Sequence, residues 1–367
     1  MENNEYLFWI YSLYFIFITA FTVIINSILL KFSKTLGIRE QEQTIIRWST
    51  VSKPALGGIT FFIAFLITLA SFSIFFHNDF NFHNKSFLGM IAAATMAFMM
   101  GLADDAYNTK PVLKFTVQVL CGVIMIASGN YIQTTPYEWL NYSLTIIWVV
   151  GIMNSINMLD NMDAITTSVS AGIIVMMMVC ISISGDIQNL DFLILLGILS
   201  GLIGFLFHNW HPSKMFMGDT GSQFLGVILA FYGIKYFWNA SDYFGQVIQA
   251  KQICLVLISF SLPLLDTSIV FINRISRKSS PFIGGKDHTT HHLSYLGLND
   301  SQVAFIYIGL SMISLFCVIV IQRLINGWSH LLTLVFWFGF FVVFSALFYI
   351  TRTSKKDGKQ TEQKKPD

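Results

Sequence analysis

The sequence predicts an all-α, polytopic integral membrane protein of about 11 transmembrane helices, and three observations carry that expectation. Apolar residues make up 54% of the 367 positions and charged residues only 11%, against roughly a quarter in an ordinary soluble domain. Uncharged runs near the ~20 residues that a helix needs to cross about 30 Å of hydrocarbon recur along the whole chain. Lysines and arginines collect in alternate connections, as the positive-inside rule requires of a protein that crosses repeatedly.

The spans are expected at 7–30, 57–76, 86–103, 113–131, 140–158, 164–185, 192–208, 222–238, 252–272, 302–322 and 330–351. The first follows Met1-Glu-Asn-Asn-Glu5, which lacks the basic start of a secretion signal, and its run is too long for one, so it reads as a retained helix. The second opens at Gly57-Gly58 after the basic loop 32–56, and the third closes on Asp104-Asp105. A short, weakly polar segment, 132–139, separates the fourth from the fifth, and 186–191 joins the sixth to the seventh. The eighth follows the glycine-bearing loop 209–221. The ninth carries Asp266 just after Pro263, and the last two are uninterrupted apolar runs.

Of the 22 lysines and arginines, all but Lys85, Lys235, Lys251 and Arg323 fall on one side of this topology, which predicts the N-terminus out and the C-terminus in. Residues 1–351 are expected to form a single transmembrane domain, because no linker or internal repeat divides them. The basic tail 352–367 reads as solvated and disordered, resting on anionic lipid. Cys121, Cys180, Cys254 and Cys317 all lie in apolar spans without a CxxC pair, and so read as small buried hydrophobes. A net charge of +2 points to no particular soluble partner, and nucleic acid is not expected as one.

Carboxylates near hydrocarbon are costly and are read by default as functional. Three groups of them fall at the predicted cytoplasmic ends of spans. Asp104 and Asp105, being adjacent, cannot share a helix face; they suit two jobs, one holding a divalent cation and the other accepting a hydrogen bond, with Lys114 as a fixed cation for phosphate. The competing reading is a solvated helix end with a turn at Asn108-Thr-Lys-Pro111. Asn154, Asn157, Asp160 and Asp163 recur every three residues, a stripe that drifts around the helix and lines a cleft. Its oxygens are the hard ligands that Mg²⁺ or Mn²⁺ prefers, and polar packing between helices is the alternative.

The segment from His208 to Ser222 combines Asn209, a proline break, Lys214, Phe216, Asp219 and paired glycines, which suits backbone amides to an approaching phosphate. A glycine turn capped by Asp219 is the competing reading. The last loop holds Lys286, His288, His291 and His292. No cysteine or carboxylate pair completes a zinc-like site there, so hydrogen bonding to phosphate is the expectation and a solvated surface loop the alternative.

In order along the chain, Lys53-Pro-Ala-Leu-Gly57-Gly58, Asp104-Asp105 with Lys114-Phe115, the stripe Asn154, Asn157, Asp160 and Asp163, Asn209 with Phe216-Met-Gly-Asp219-Thr-Gly-Ser, and the histidine loop together resemble the polyprenyl-phosphate N-acetylhexosamine-1-phosphate transferases, of glycosyltransferase family 4 type. The resemblance implies an Mg²⁺-dependent transfer of sugar-1-phosphate from a UDP-N-acetylhexosamine to polyprenyl phosphate with release of UMP. It further implies Asp219 and Asn157 as metal ligands; Asp104, Asp105, Asp160 and Asp163 as catalytic; and Lys53, Asn108, Lys114, Asn154, Asn161, Asn209, Phe216, Lys286, His288, His291 and His292 as substrate-binding.

Two details stand apart from the family pattern. Asp160-Asn161-Met162-Asp163-Ala164 replaces the usual Asp-Gly-x-Asp-Gly near the uridine pocket, and His288-Thr-Thr-His291-His292 is closer to the branch that uses UDP-GlcNAc than to the one that uses UDP-MurNAc-pentapeptide, which is the runner-up. The implied setting is a bacterial inner membrane, with the site facing the cytoplasm, initiating a surface polysaccharide or O-antigen-like glycan; a homodimer is compatible with it. A proton- or sodium-coupled transporter is the alternative of another class. Such proteins place their sites near the midplane between repeats, whereas here only Asp266 lies inside a span.

Overall fold

The computed structural model describes residues 2–35, 53–75, 84–241, 245, 247–280, 285–325 and 327–354, all of them helical or in connections, with one isolated parallel bridge between Ala55 and Phe216. The loop bases Arg39 and Arg47 and tail residues 355–367 lie outside the described residues.

Thirteen helices follow in order among the described residues: α1 Glu2–Thr35, α2 Gly57–Phe75, α3 Lys85–Tyr107, α4 Pro111–Ala127, α5 Glu138–Leu159, α6 Ile165–Ile183, α7 Leu190–Asn209, α8 Gly218–Gly233, α9 Gln249–Ser259, α10 Ser261–Ser276, α11 Thr289–Tyr295, α12 Asp300–Ile319 and α13 His330–Thr353. A single π turn continues α8 through Ile234–Trp238 and another continues α12 through Val320–Leu324. The helical architecture follows from the solvent: in lipid every backbone N–H and C=O must be satisfied within the segment.

Seven of the described helices are long and apolar enough to cross a bilayer, or eight with α9 and α10 taken as one broken span. The ninth predicted span is therefore not one straight helix; α9 and α10 meet at Phe260 with a 75° bend. Pro263 stands in the first turn of α10, where its missing N–H costs nothing. Helices α2 and α4 are apolar but shorter, and α11 is a short helix in what the sequence suggested was a loop.

The centre of the bundle is α8, buried on every side from Thr220 to Gly233 and packed against α2, α3 and α5. Two glycines let its neighbours come that close. A Cβ on Gly58 of α2 would lie 2.1 Å from the Gly221 nitrogen, and one on Gly101 of α3 would lie 2.4 Å from the Asp219 carbonyl oxygen, so backbone touches backbone in the manner common where small residues set helix contacts in membranes. The consequence is local: the first turn of α8 is wedged between the end of α3 and the start of α2.

Candidate active site

Asp104, Asp105, Lys114 and Asp219 meet at one end of the bundle, where α3 and α5 end and α4 and α8 begin. Lys114 on α4 is their hub. Its ammonium lies 2.6 Å from Asp219 Oδ1 and 3.0 Å from Asp104 Oδ2, and donates to Asn157 Oδ1 at 3.5 Å. Asn157 turns its amide nitrogen to Asp219 and, at 2.8 Å, to the Ser222 hydroxyl. All three partners of the lysine come from different helices, so the cluster exists only when α3, α5 and α8 are packed.

The adjacent carboxylates do separate. Asp104 accepts from the Thr109 amide and hydroxyl at 2.8 and 2.6 Å and faces Lys114. Asp105 points to α8, whose own N-cap, Met217, offers no capping side chain. It accepts from the Asp219 amide at 2.9 Å and from the Thr220 amide and hydroxyl at 2.8 and 2.6 Å. A carboxylate from another helix thus satisfies the orphan N–H groups of this helix start and sits at the positive end of its dipole. Gly218, at φ +74, makes the turn possible, since a Cβ there would lie 2.6 Å from Asp105 Oδ2. Asn108 takes the left-handed position that ends α3, with φ 50, and is exposed.

A second cluster stands around Asp163, in the turn between α5 and α6. It accepts from the Ser213 hydroxyl at 2.6 Å and amide at 3.0 Å, while His211 Nδ1 lies 3.0 Å and the Lys53 ammonium 3.6 Å away. Burial opposes its charge, yet Ser213, Lys53 and His211 together hold its pKa below the ordinary carboxylate value. Lys53 also donates to Ser213 Oγ at 2.8 Å and stands 5.0 Å above the Phe216 ring. Pairing of segment 54–58 with 216–217, through Phe216 N to Pro54 O at 3.0 Å and Gly58 N to Met217 O at 3.0 Å, brings the lysine there. Asp163, His211 and Asp300 place ligand atoms within 4.8 Å of one another, an oxygen and imidazole set able to hold a divalent cation. Neither His211 nor Asp300 was singled out from sequence; the three come from separate segments with no shared spacing. Asp160 lies between the clusters, and burial with the charges of Asp219, Asp105 and Asp163 pushes its carboxyl up to about 7.

Other expected site residues serve the frame in this structure. Asn209 is buried and accepts from the Ala164 amide at 3.1 Å and the Thr167 hydroxyl at 2.8 Å while donating to the Met215 carbonyl at 3.1 Å. Asn154 pairs with Gln118, one turn deeper than Asn157. Asn161 accepts from Thr290 at 2.6 Å, tying the turn after α5 to α11.

The three histidines are buried. His288 Nδ1 lies 2.8 Å from Asp266, which also accepts from the Thr289 amide and hydroxyl. His292 Nδ1 lies 2.7 Å from Ser354 Oγ. Burial, with His288 close by, pushes His291 down to about 3, so its imidazole is neutral at pH 7. Lys286 is exposed, and its carbonyl accepts from the Tyr295 hydroxyl at 3.0 Å. The buried Arg274 grips Asp287 through two hydrogen bonds, 3.0 and 2.7 Å, which fixes the entry to α11.

Residues 87–237, which hold the Lys114 hub and the Asp163 turn, match the family model described as glycosyl transferase family 4. The chain is 25% identical over 323 residues to the probable undecaprenyl-phosphate N-acetylglucosaminyl 1-phosphate transferase of Bacillus subtilis, covering 85% of this chain and 83% of that one. It is 27% identical over 343 residues to the phospho-N-acetylmuramoyl-pentapeptide-transferase of Kosmotoga olearia, covering 85% and 96%. With the decaprenyl-phosphate N-acetylglucosaminephosphotransferase of Mycobacterium leprae it shares 25% over 281 residues, 69% of each chain. The order of motifs along the sequence, their convergence at one end of the bundle and these matches agree: residues 87–237 match glycosyl transferase family 4, and the chain is similar to polyprenyl-phosphate sugar-1-phosphate transferases along most of its length.

Proposed function

We propose that this protein transfers N-acetylhexosamine-1-phosphate, specifically GlcNAc-1-phosphate, from a UDP-sugar to a polyprenyl phosphate in a bacterial inner membrane. In that reaction a phosphate oxygen of the lipid forms a bond to the sugar-bearing phosphorus, the bridge between the two phosphorus atoms breaks, and UMP leaves with its electron pair. The observation that carries the reading is Lys114, held between Asp104 and Asp219. An acceptor phosphate and a pyrophosphate crowd several negative charges together, and catalysis of phosphoryl transfer rests on positioning and on offsetting such charge. The relatives act, by their names, on undecaprenyl- or decaprenyl-phosphate and N-acetylhexosamine groups, which supports the same substrate classes here.

The donor set fits a hard divalent cation: the carboxylate of Asp219, the amide oxygen of Asn157 and the carboxylate of Asp104 surround one point now served by Lys114, and such oxygens are what Mg²⁺ takes. Bound there, the ion would supply neutralisation of the pyrophosphate. Asp219 and Asn157 are its proposed ligands. Lys53 over Phe216 and the turn at Asp163 border the proposed nucleotide side. The excess of lysine and arginine in the loops at this end supports a cytoplasmic site, with the N-terminus outside and the C-terminus inside.

The test is UMP release by purified protein from a panel of UDP-sugars, with and without lipid phosphate and Mg²⁺. UDP-GlcNAc turnover dependent on both supports the reading; turnover of UDP-MurNAc-pentapeptide alone moves the protein to the peptidoglycan branch, and no UMP from any donor overturns it. Loss of Mg²⁺ dependence in Asp163→Asn but not in Asp219→Asn would move the metal to the Asp163, His211 and Asp300 cluster.

A further inference from the structure

One helical turn deeper than the Lys114 hub, the same three helices contribute a second polar layer. Lys114, Asn157 and Asp219 belong to α4, α5 and α8; Gln118, Asn154 and Gln223 lie four residues on, three back and four on. Gln118 and Asn154 pair reciprocally, Asn154 Nδ2 donating to Gln118 Oε1 at 2.7 Å and Gln118 Nε2 to Asn154 Oδ1 at 3.2 Å. Gln118 Nε2 also donates to Gln223 Oε1 at 3.0 Å, and Asn154 Nδ2 to the Val150 carbonyl at 2.8 Å.

Gln118 and Gln223 are fully enclosed, and among the described residues Gln223 Nε2 has no hydrogen-bond acceptor. The α8 residues that follow Gln223 into the core, Phe224, Leu225 and Val227, are apolar. A buried donor left unmade costs stability, so a leucine or methionine at 223 would serve the fold at least as well. The glutamine therefore answers to something other than packing. What its carbonyl does is fix the Gln118 amide, and through it Asn154, so that α4 and α5 are held at one rotation against α8. Lys114 and Asn157, a turn above, inherit that rotation.

We propose that Gln223 is a positioning residue for the proposed sugar-phosphate transfer, acting through Gln118 and Asn154 to hold Lys114 and Asn157 in register with Asp219. The proposal rests on that reaction, but its geometric half stands apart from it.

The experiment compares Gln223→Met and Gln223→Glu with the wild type in the full chain, in lipid nanodiscs, by three measurements: melting temperature, UMP release, and the rate of Lys114 acetylation by acetic anhydride read by mass spectrometry. Gln223→Met removes the acceptor at nearly constant volume; Gln223→Glu keeps an acceptor oxygen for Gln118. The expected result is that Gln223→Met melts at or above the wild-type temperature, loses about tenfold in kcat with KM for UDP-sugar little changed, as expected of a small misplacement of a catalytic group, and has Lys114 acetylated several-fold faster. Gln223→Glu restores both kcat and protection of Lys114. Wild-type kcat and labelling in Gln223→Met would overturn the proposal, and so would melting temperature and kcat falling together without rescue by Gln223→Glu. If the wild type releases no UMP, the reaction assignment fails, and Lys114 labelling alone still decides the positioning role.

Discussion

Lys114 and Asp219 lie 105 positions apart in the chain, yet the ammonium of one stands 2.6 Å from the carboxylate of the other. Asp104 takes the far side of the same ammonium at 3.0 Å. Lys114→Met is expected to leave two carboxylates facing each other without a cation and to lower kcat for UMP release by ~10²–10³-fold, the range for loss of one preorganised charge-stabilising group. Assay at saturating UDP-sugar and lipid phosphate measures it, and a loss under tenfold would remove Lys114 from the reaction.

Ala164 adopts φ 66, a left-handed conformation that alanine tolerates poorly, at the position where the family pattern expects glycine. The amide there is held by Asn209. Ala164→Gly should stabilise the protein by about 1 kcal/mol, the cost of a left-handed residue with a Cβ, and should raise the melting temperature in detergent. A lower melting temperature would contradict the strain.

Asn209→Ala removes three hydrogen bonds from one buried amide. The stranded Ala164 amide and Met215 carbonyl each cost about 1–3 kcal/mol, so a sharp fall in melting temperature is expected, with the KM for UDP-sugar of the surviving protein nearly unchanged. A raised KM with normal stability would return Asn209 to the substrate.

Asp160 has a folded-state pKa of about 7, raised by burial and by neighbouring carboxylates. Between the ordinary carboxylate value near 4 and that value, the folded form binds a proton that the unfolded form does not. Its contribution favours the fold at low pH and is lost as pH rises through about 7. Asp160→Asn should therefore gain melting temperature over the wild type at pH 8 and not at pH 4, measured in metal-free buffer. A gain confined to the acid side would reverse the sign.

The helical class was legible because a bilayer leaves few alternatives; Asp104 and Asp219 stood out because charge near hydrocarbon is conspicuous, and Asn157 because it falls in a polar stripe repeating every three residues. The bend at Phe260 was hidden inside a continuous apolar run; Pro263 marked it, but a proline in a first turn also fits an unbroken path. The internal hydrogen bonds of Asn209 were not legible, because its partners, at 164, 167 and 215, lie in other segments or turns. The grouping of Asp163, His211 and Asp300 depends on three turns meeting, which no local spacing encodes. Ala164 is the reverse case: the departure from Asp-Gly-x-Asp-Gly was visible in the sequence, and its backbone angle supplies the physical meaning.

The anchoring of α11 bears on the order in which the protein is made. Thr290 reaches back 129 positions to Asn161, His288 holds Asp266, and His292 waits for Ser354 at the end of α13. A nascent chain that has inserted α1 to α10 already carries all the carboxylates of the Lys114 hub, but leaves Asn161 and Asp266 without these partners. The histidine segment closes only once α13 has been made through Ser354, 62 positions after His292, so it completes later than the Lys114 hub.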